Sequence, residues 1–190
     1  MSDGFASSRA AGIPWQVLAQ QMVMGPTRLP SSARAAQANL VVLTGESHDG
    51  WAYELRSAGG AAGVEYDGQS VASLGIEKRF GGDPARIAAD FLAANPALKW
   101  ADTHRRGYMV LTLTRDRFEA DYVFLPSRNE RSTRLLSTQK LVTEREGNAV
   151  LRGSSRRQST GLLHGGAFQI VRQWWANHGA VPMAKKIGRN

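Results

Sequence analysis

Two pairs of acidic and imidazole side chains stand two residues apart in the sequence and could do chemistry. Glu46 and His48 form the first pair, and Asp102 and His104 form the second. A carboxylate oxygen and a neutral imidazole nitrogen at this spacing can both reach one hard or borderline cation. For an isolated Glu-x-His motif, a solvated turn with a surface histidine is the simpler interpretation. The surroundings of each pair therefore decide between a site and a turn.

The first pair directly follows an apolar segment. Residues 40–43 are an unbroken apolar run with two valines, which predicts a strand buried on both faces. The run stops at Thr44-Gly45, and Glu46 and His48 come at once. In open α/β sheets, ligands bind just outside the carboxyl ends of the strands. This position favours a metal site formed by Glu46 and His48.

The second pair precedes a predicted hairpin and is followed by Arg105 and Arg106. One interpretation is a histidine that faces a phosphate or orients a ligand, with the arginines nearby. The other is a loop with a solvated, salt-bridged surface, and the sequence favours this one. Asp102 and His104 remain weak catalytic candidates. They are also the candidates for completing a ligand shell around the first pair.

Four segments carry a resemblance to a known family. They are WQVLAQQMVM (15–24), TGESHDGWA (44–52), GVEY with SVAS (63–66 and 70–73), and RGY (106–108). In the same order and spacing they resemble WQVLGQQVMM, TGDSHNAWA, GVEF…PSVTS and RRGY of the alkaline phosphatase D (PhoD-like) metallophosphatases. The resemblance extends from about residue 11 to about residue 125.

The resemblance implies a metal-dependent phosphoesterase that hydrolyses phosphate mono- or diesters with a metal-activated water. It implies that Glu46 and His48 are metal ligands, and that the metals are divalent or trivalent, calcium and iron in this family. Two departures matter: Glu46 replaces the usual Asp, and the chain begins after the segments that hold most of the family's ligands. We therefore expect the C-terminal portion of such an enzyme, with an incomplete site. The missing N-terminal portion would be a separate chain, or the protein would be inactive.

Composition excludes several classes of protein. The 190 residues are 42% hydrophobic and 21% charged, and no apolar run approaches the length of a membrane-spanning helix. The chain has no cysteine, which excludes disulfides and thiolate metal sites. The first residues lack the apolar region of a signal peptide, although the resembled family is commonly exported.

Positive charge is concentrated in the last third of the chain. Residues 126–190 carry 12 Lys and Arg against 3 Asp and Glu, whereas the rest is close to neutral. Arg156-Arg157, Lys185-Lys186 and Trp174-Trp175 could supply phosphate contacts and base stacking, so a basic protein associated with nucleic acid is the less favoured alternative. A catalytically dead structural remnant is a third hypothesis.

The predicted elements give an α/β fold: part of the layered metallophosphatase sandwich, a mixed sheet flanked by helices, with a C-terminal hairpin. We expect four to six strands. The local predictions are a strand rather than a helix at 15–24, a strand or helix from Trp51, a strand pair broken at Asp67-Gly68, a helix from Asp83-Pro84 to Asn95-Pro96, a hairpin over 108–114 and 118–124, a strand or short helix at 135–142, and a linker at 153–161.

Three regions follow from these elements. Residues 1–12 are expected to be a loose N-terminus, and residues 13–125 the PhoD-like portion. Residues 126–190 are expected to be a basic extension, partly disordered, with an amphipathic helix at 167–177.

Overall fold

A computed structural model describes residues 7–8, 10–25, 39–57, 60–132 and 134–157. Within these residues the chain forms a five-stranded sheet, a four-stranded sheet and two helices. The elements are β1 (Gln16–Ala19), β2 (Leu40–Thr44), β3 (Gly50–Ser57), β4 (Gly60–Asp67), α1 (Glu77–Phe80), α2 (Pro84–Ala94), β5 (Leu98–Asp102), β6 (Gly107–Leu113), β7 (Arg117–Phe124), β8 (Ser137–Glu144) and β9 (Leu151–Arg157).

The first sheet is mixed and has the order β1-β2-β4-β3-β5. Strands β1, β2 and β4 run parallel, whereas β3 is antiparallel to both β4 and β5. The apolar run at residues 40–43 forms most of β2, which lies inside this sheet. Val41 and Val42 are fully buried. The predicted strand buried on both faces is confirmed, because one core covers Val41 and the other covers Val42.

Two segments of this sheet could have been strand or helix by their sequence, and both contain strands. One further prediction for this sheet is wrong. Residues 16–19 of the 15–24 segment form β1 while the rest of it is not strand, and the segment from Trp51 lies in β3. The predicted strand pair broken at Asp67-Gly68 is instead one strand of eight residues, β4, which ends at Asp67. The Asp-Gly signal marks the end of β4 rather than a hairpin, because β4 pairs back with β3.

The second sheet is antiparallel and has the order β6-β7-β8-β9. The predicted hairpin is confirmed as β6 and β7, whose register runs from Gly107↔Phe124 to Leu113↔Phe118. The sheet continues across residue 125, where a boundary was expected, because β8 pairs with β7 along its whole length. Residues 137–157 therefore share a sheet with residues 107–124.

The strand count of four to six was too low, since the described residues form nine strands. Part of the predicted linker at 153–161 is also strand, because β9 extends to Arg157. Strand β9 pairs with β8 and is the last strand of its sheet. Its side chains from Leu151 to Arg156 are exposed, which is why its sequence reads as polar linker.

Two cores hold the layers together. Inward side chains of both sheets form the larger core, in which the Tyr66 and Phe118 rings stack at 5.5 Å. The opposite face of the first sheet packs against α2, where the Trp51 and Phe91 rings meet edge to face at 5.2 Å. Strand β1 is joined to the second sheet by Trp15, whose Nε1 donates to the Thr114 carbonyl at 2.7 Å.

Helix α2 begins and ends where its sequence signals predict. Asp83 caps it by accepting a hydrogen bond from the Ala85 N–H at 3.0 Å, and Pro84 occupies the first helical position, where a missing N–H costs nothing. Asn95 ends the helix before Pro96.

Several predictions concern residues that the structure does not describe. The predicted helix at 167–177 lies outside the described residues, as do Trp174-Trp175 and Lys185-Lys186. Arg156 lies on exposed strand β9. Among the described helices, none is long and apolar enough to cross a membrane.

Candidate active site at the carboxyl end of β2

The turn formed by residues 45–49 connects the end of β2 to the start of β3. Because β1, β2 and β4 are parallel, their carboxyl ends meet at the same edge of the first sheet. Gln21, Glu46 and Asp67 lie at or just beyond these three ends. This is the edge at which α/β sheets bind ligands.

Glu46 is exposed at the rim of this edge and is held by Gln21. Gln21 Nε2 donates to Glu46 Oε2 at 2.9 Å, and the Glu46 N–H donates to the Gln21 carbonyl at 3.3 Å. The second carboxylate oxygen of Glu46 can still bind a ligand, because a carboxylate offers about four acceptor positions.

His48 adopts a left-handed backbone conformation, with φ of 66°. Its Nδ1 lies 3.2 Å from the Leu74 carbonyl oxygen. A carbonyl can only accept, so a neutral His48 that makes this hydrogen bond carries its proton on Nδ1 and its lone pair on Nε2. Histidines that bind metals are usually held in this way, by a backbone carbonyl or a carboxylate on the other ring nitrogen.

The metal implied by the resemblance can be tested against these donors. Glu46 and His48 offer one carboxylate and one imidazole nitrogen. Within the described part of the chain, no group of three or more His, Cys, Asp or Glu side chains could hold a metal ion. The described residues alone therefore do not fit a metal centre.

The second acid–imidazole pair lies at the same end of the sheet, because Asp102 pairs with Gly50 next to the turn. Asp102 is buried, and its carboxylate accepts from the backbone N–H and the side chain of Arg105. His104 is about half exposed, with Nδ1 3.6 Å from Asp102 Oδ1. Asp102 thus holds its own loop together, and the two pairs do not combine into a metal-binding group.

Arg105, which binds Asp102, anchors this loop to the second sheet. Its guanidinium lies 3.8 Å from the centre of the Phe124 ring, and its Nη1 donates to Ser137 Oγ at 3.0 Å. The arginine next to the histidine therefore packs against the second sheet.

A buried ion network, which the sequence analysis missed, supports the His48 turn. Arg106 lies between Asp49 and Glu77, with Nη1 3.3 Å from Asp49 Oδ1 and Nη2 2.6 Å from Glu77 Oε2. Burial raises the pKa of Asp49 to about 6, although a hydrogen bond from the Ile76 N–H and the charge of Arg106 lower it. No local signal identifies this network, because its members come from three separate segments.

Two further buried carboxylates, also missed, lie on β4. Glu65 accepts from the Met24 N–H at 2.8 Å and from Thr44 Oγ1 at 3.0 Å, while Asp67 accepts from Ser47 Oγ. Burial raises the pKa of both groups, that of Asp67 to about 7, against the lowering effect of these hydrogen bonds. Two acids at alternate positions of an otherwise apolar strand were the signal that could have found them.

The arrangement offers three kinds of group at one edge of the sheet. They are an exposed carboxylate (Glu46), an imidazole with a free Nε2 lone pair (His48), and a layer of buried carboxyls beneath them. Such a surface can accept a proton, and its described residues offer a cation two of the ligands it needs.

The family model of the PhoD-like phosphatases matches residues 27–122, which include the His48 turn and the Asp102 loop. Alkaline phosphatase D of Bacillus subtilis (strain 168) is 27% identical over 136 residues, which are 69% of this chain and 22% of that protein. The chain thus spans about a fifth of the length of this curated relative.

A solved structure described as the structure of PhoD is similar to this chain, with a TM-score of 0.62 and 20% sequence identity. The alignment covers 85% of this chain and 36% of that one. At this level of identity the likeness supports the fold alone.

Proposed function

The chain belongs to the PhoD-like phosphatase family, and from this membership we propose that it takes part in metal-dependent hydrolysis of phosphate mono- or diesters. The substrate class follows from the family, in which a phosphate ester is cleaved. The reactive edge is the carboxyl end of β2, where Glu46 and His48 lie.

The observation that carries this proposal is the state of His48. Its Nδ1 contact to the Leu74 carbonyl leaves Nε2 as an acceptor at the ligand-binding edge of the sheet. His48 also has a left-handed backbone conformation, with φ of 66°, which places its side chain in the turn that leaves β2.

We also propose that the two sheets form part of the layered metallophosphatase sandwich. In this proposal the family portion begins near residue 13 and extends beyond residue 125 to include β8 and β9, because these strands complete the second sheet. Residues 1–12 and the rest of the basic stretch then flank this portion.

The metal site is proposed to be shared. Glu46 would contribute a carboxylate oxygen and His48 an imidazole nitrogen, and a second polypeptide would contribute the remaining ligands. The metal, when bound, would supply the activated water that attacks phosphorus. Residues of this chain orient both ligand side chains. Gln21 donates a hydrogen bond to the Glu46 carboxylate, and the Leu74 carbonyl contacts Nδ1 of His48.

The proposal can be tested by hydrolysis of p-nitrophenyl phosphate and bis(p-nitrophenyl) phosphate. Turnover by the chain alone is expected to be slow and to require an added metal, with calcium and iron tested first. His48→Ala is expected to lower kcat/KM by about 10- to 100-fold or more, because changing even the groups that support a metal ligand costs about that much.

Glu46→Ala should also abolish turnover, whereas Glu144→Ala is a matched control because Glu144 is an exposed carboxylate on the second sheet. Turnover that survives chelation of metals, or that is the same in His48→Ala, would contradict the proposal. Absence of turnover with every metal tested would contradict it for the chain acting alone.

A further inference from the structure

Arg106 is a buried arginine that directly contacts the backbone of His48. Its side chain is only 4% exposed. Its Nη1 donates to the His48 carbonyl oxygen at 2.5 Å, and its Nη2 donates to Glu77 Oε2 at 2.6 Å. The guanidinium therefore bridges the turn after β2 and the short helix α1.

The backbone of His48 needs this kind of support. A left-handed conformation is unfavourable for a residue with a side chain and persists only where the surroundings fix it. Two donors converge on the His48 carbonyl: Arg106 Nη1, and the Ser70 N–H at 3.1 Å. Arg106 is the charged and buried one of the two, and hydrogen bonds from ionised donors are the stronger kind.

The ring of His48 depends on the same support. The Leu74 carbonyl that contacts Nδ1 belongs to the segment between β4 and α1. Arg106 ties the turn to α1 through Glu77, and Asp49 accepts from the Ile76 N–H at 2.9 Å beside it. The turn and the segment carrying Leu74 are thereby held in one fixed relation.

We propose that Arg106 is the positioning residue for His48: its bridge from the His48 carbonyl to Glu77 fixes the imidazole with its proton on Nδ1 and Nε2 directed to a ligand. Arg106 acts through His48 and does not itself contact the substrate. This inference deepens the proposed function, since it concerns the same site, but it makes a claim about the histidine that can be tested without turnover.

The tautomer of His48 can be measured by long-range ¹H–¹⁵N NMR on the isotopically labelled chain. In the unaltered protein, His48 is expected to show separate signals for a protonated Nδ1 and an unprotonated Nε2. Arg106→Lys keeps the positive charge between Asp49 and Glu77, so the chain should still fold. Lysine lacks the planar fork that reaches two acceptors at once. We therefore expect the two His48 nitrogen shifts to move towards the averaged values of a histidine that exchanges between tautomers.

Arg105→Lys is the matched control. Arg105 is the neighbouring residue, and its side chain contacts Asp102, Ser137 and Phe124 rather than the His48 turn. This variant should lose stability to a similar degree while the His48 signals stay in place. Unchanged His48 signals in Arg106→Lys, or an equal change in Arg105→Lys, would overturn the assignment.

The two proposals can fail separately. If the NMR result is as expected but no phosphoester is hydrolysed, Arg106 positions a histidine whose reaction is something else. If hydrolysis depends on His48 while Arg106→Lys leaves its tautomer unchanged, the function stands and the positioning role is wrong.

Discussion

The carboxyl group of Asp67 has no exposed surface, and burial raises its pKa to about 7. An unfolded aspartate has a pKa near 3.9. The folded protein therefore holds this proton more tightly than the unfolded chain does. Protonation of Asp67 stabilises the fold fully below about pH 4, and this contribution is lost as the pH rises to 7 and above.

The free energy of unfolding should consequently fall as the pH is raised from 5 to 8. One pKa unit corresponds to about 1.4 kcal/mol, so Asp67 accounts for roughly 2 to 4 kcal/mol of this change. Asp67→Asn should remove that part of the pH dependence and be more stable than the original protein at pH 8. Urea unfolding at several pH values measures both effects.

Glu119→Gln is the control for this measurement. A hydrogen bond from Lys140 lowers the pKa of Glu119, so its titration contributes in the opposite direction and at lower pH. The decline in stability between pH 5 and 8 should persist in Glu119→Gln. If it also persists unchanged in Asp67→Asn, burial of Asp67 is not its source.

For individual residues, the sequence predicted that Glu46 and His48 follow the end of one strand, because both come directly after an apolar run. It did not identify Arg106 as their support. Asp49, Glu77 and Arg106 lie in segments up to 57 residues apart; the pairing of β3 with β5 brings Asp49 near Arg106, and α1 supplies Glu77. Ion pairs across such distances leave no local pattern.

Among the helices and strands, α2 depends on a single side chain for its start. Asp83 accepts the Ala85 N–H, which would otherwise lack a partner in the helix. Asp83→Ala is expected to lower the free energy of unfolding by about 1 kcal/mol. Asp90→Ala, an exposed aspartate within the same helix, should cost much less, since alanine is the best helix former.

The midpoint of urea unfolding distinguishes these two variants. An equal loss in both would mean that the effect at position 83 does not come from the missing cap.

The elements that the sequence predicted correctly are those with local signals. The caps of α2 and the alternation of β6 and β7 each lie within a few residues of one another. The order of the first sheet has no such signal, because β4 inserts between β2 and β3 although β3 precedes it in the chain. Strand β9 was missed since an exposed strand at the end of a sheet lacks the apolar alternation of a covered one.

At the scale of the whole molecule, the two sheets share one core, to which β8 contributes. Leu141 of β8 is fully buried in it, and Tyr66 Oη of the first sheet hydrogen-bonds Thr143 Oγ1 at 2.7 Å. Residues beyond 125 are thus part of the packing that stabilises the first sheet.

Leu141→Ala is therefore expected to destabilise both sheets together, by about 2 to 5 kcal/mol. Urea unfolding followed by tryptophan fluorescence and by circular dichroism should give one coincident transition at a lower midpoint. Leu151→Ala is the control, because Leu151 on β9 is 47% exposed. A first-sheet signal unaffected by Leu141→Ala would show that the sheets unfold independently.

The bond between Trp15 and the Thr114 carbonyl joins residues 99 positions apart, so it cannot form early in the synthesis of the chain. The ribosome makes the indole long before its acceptor, and at 5 to 20 residues per second the interval is roughly 5 to 20 s. During that time the nascent apolar strands at the start of the chain have no second sheet to pack on. Chaperone binding to the growing polypeptide should therefore be strong in this interval, begin to decline once the β6–β7 hairpin has emerged and end after β8 has joined the core.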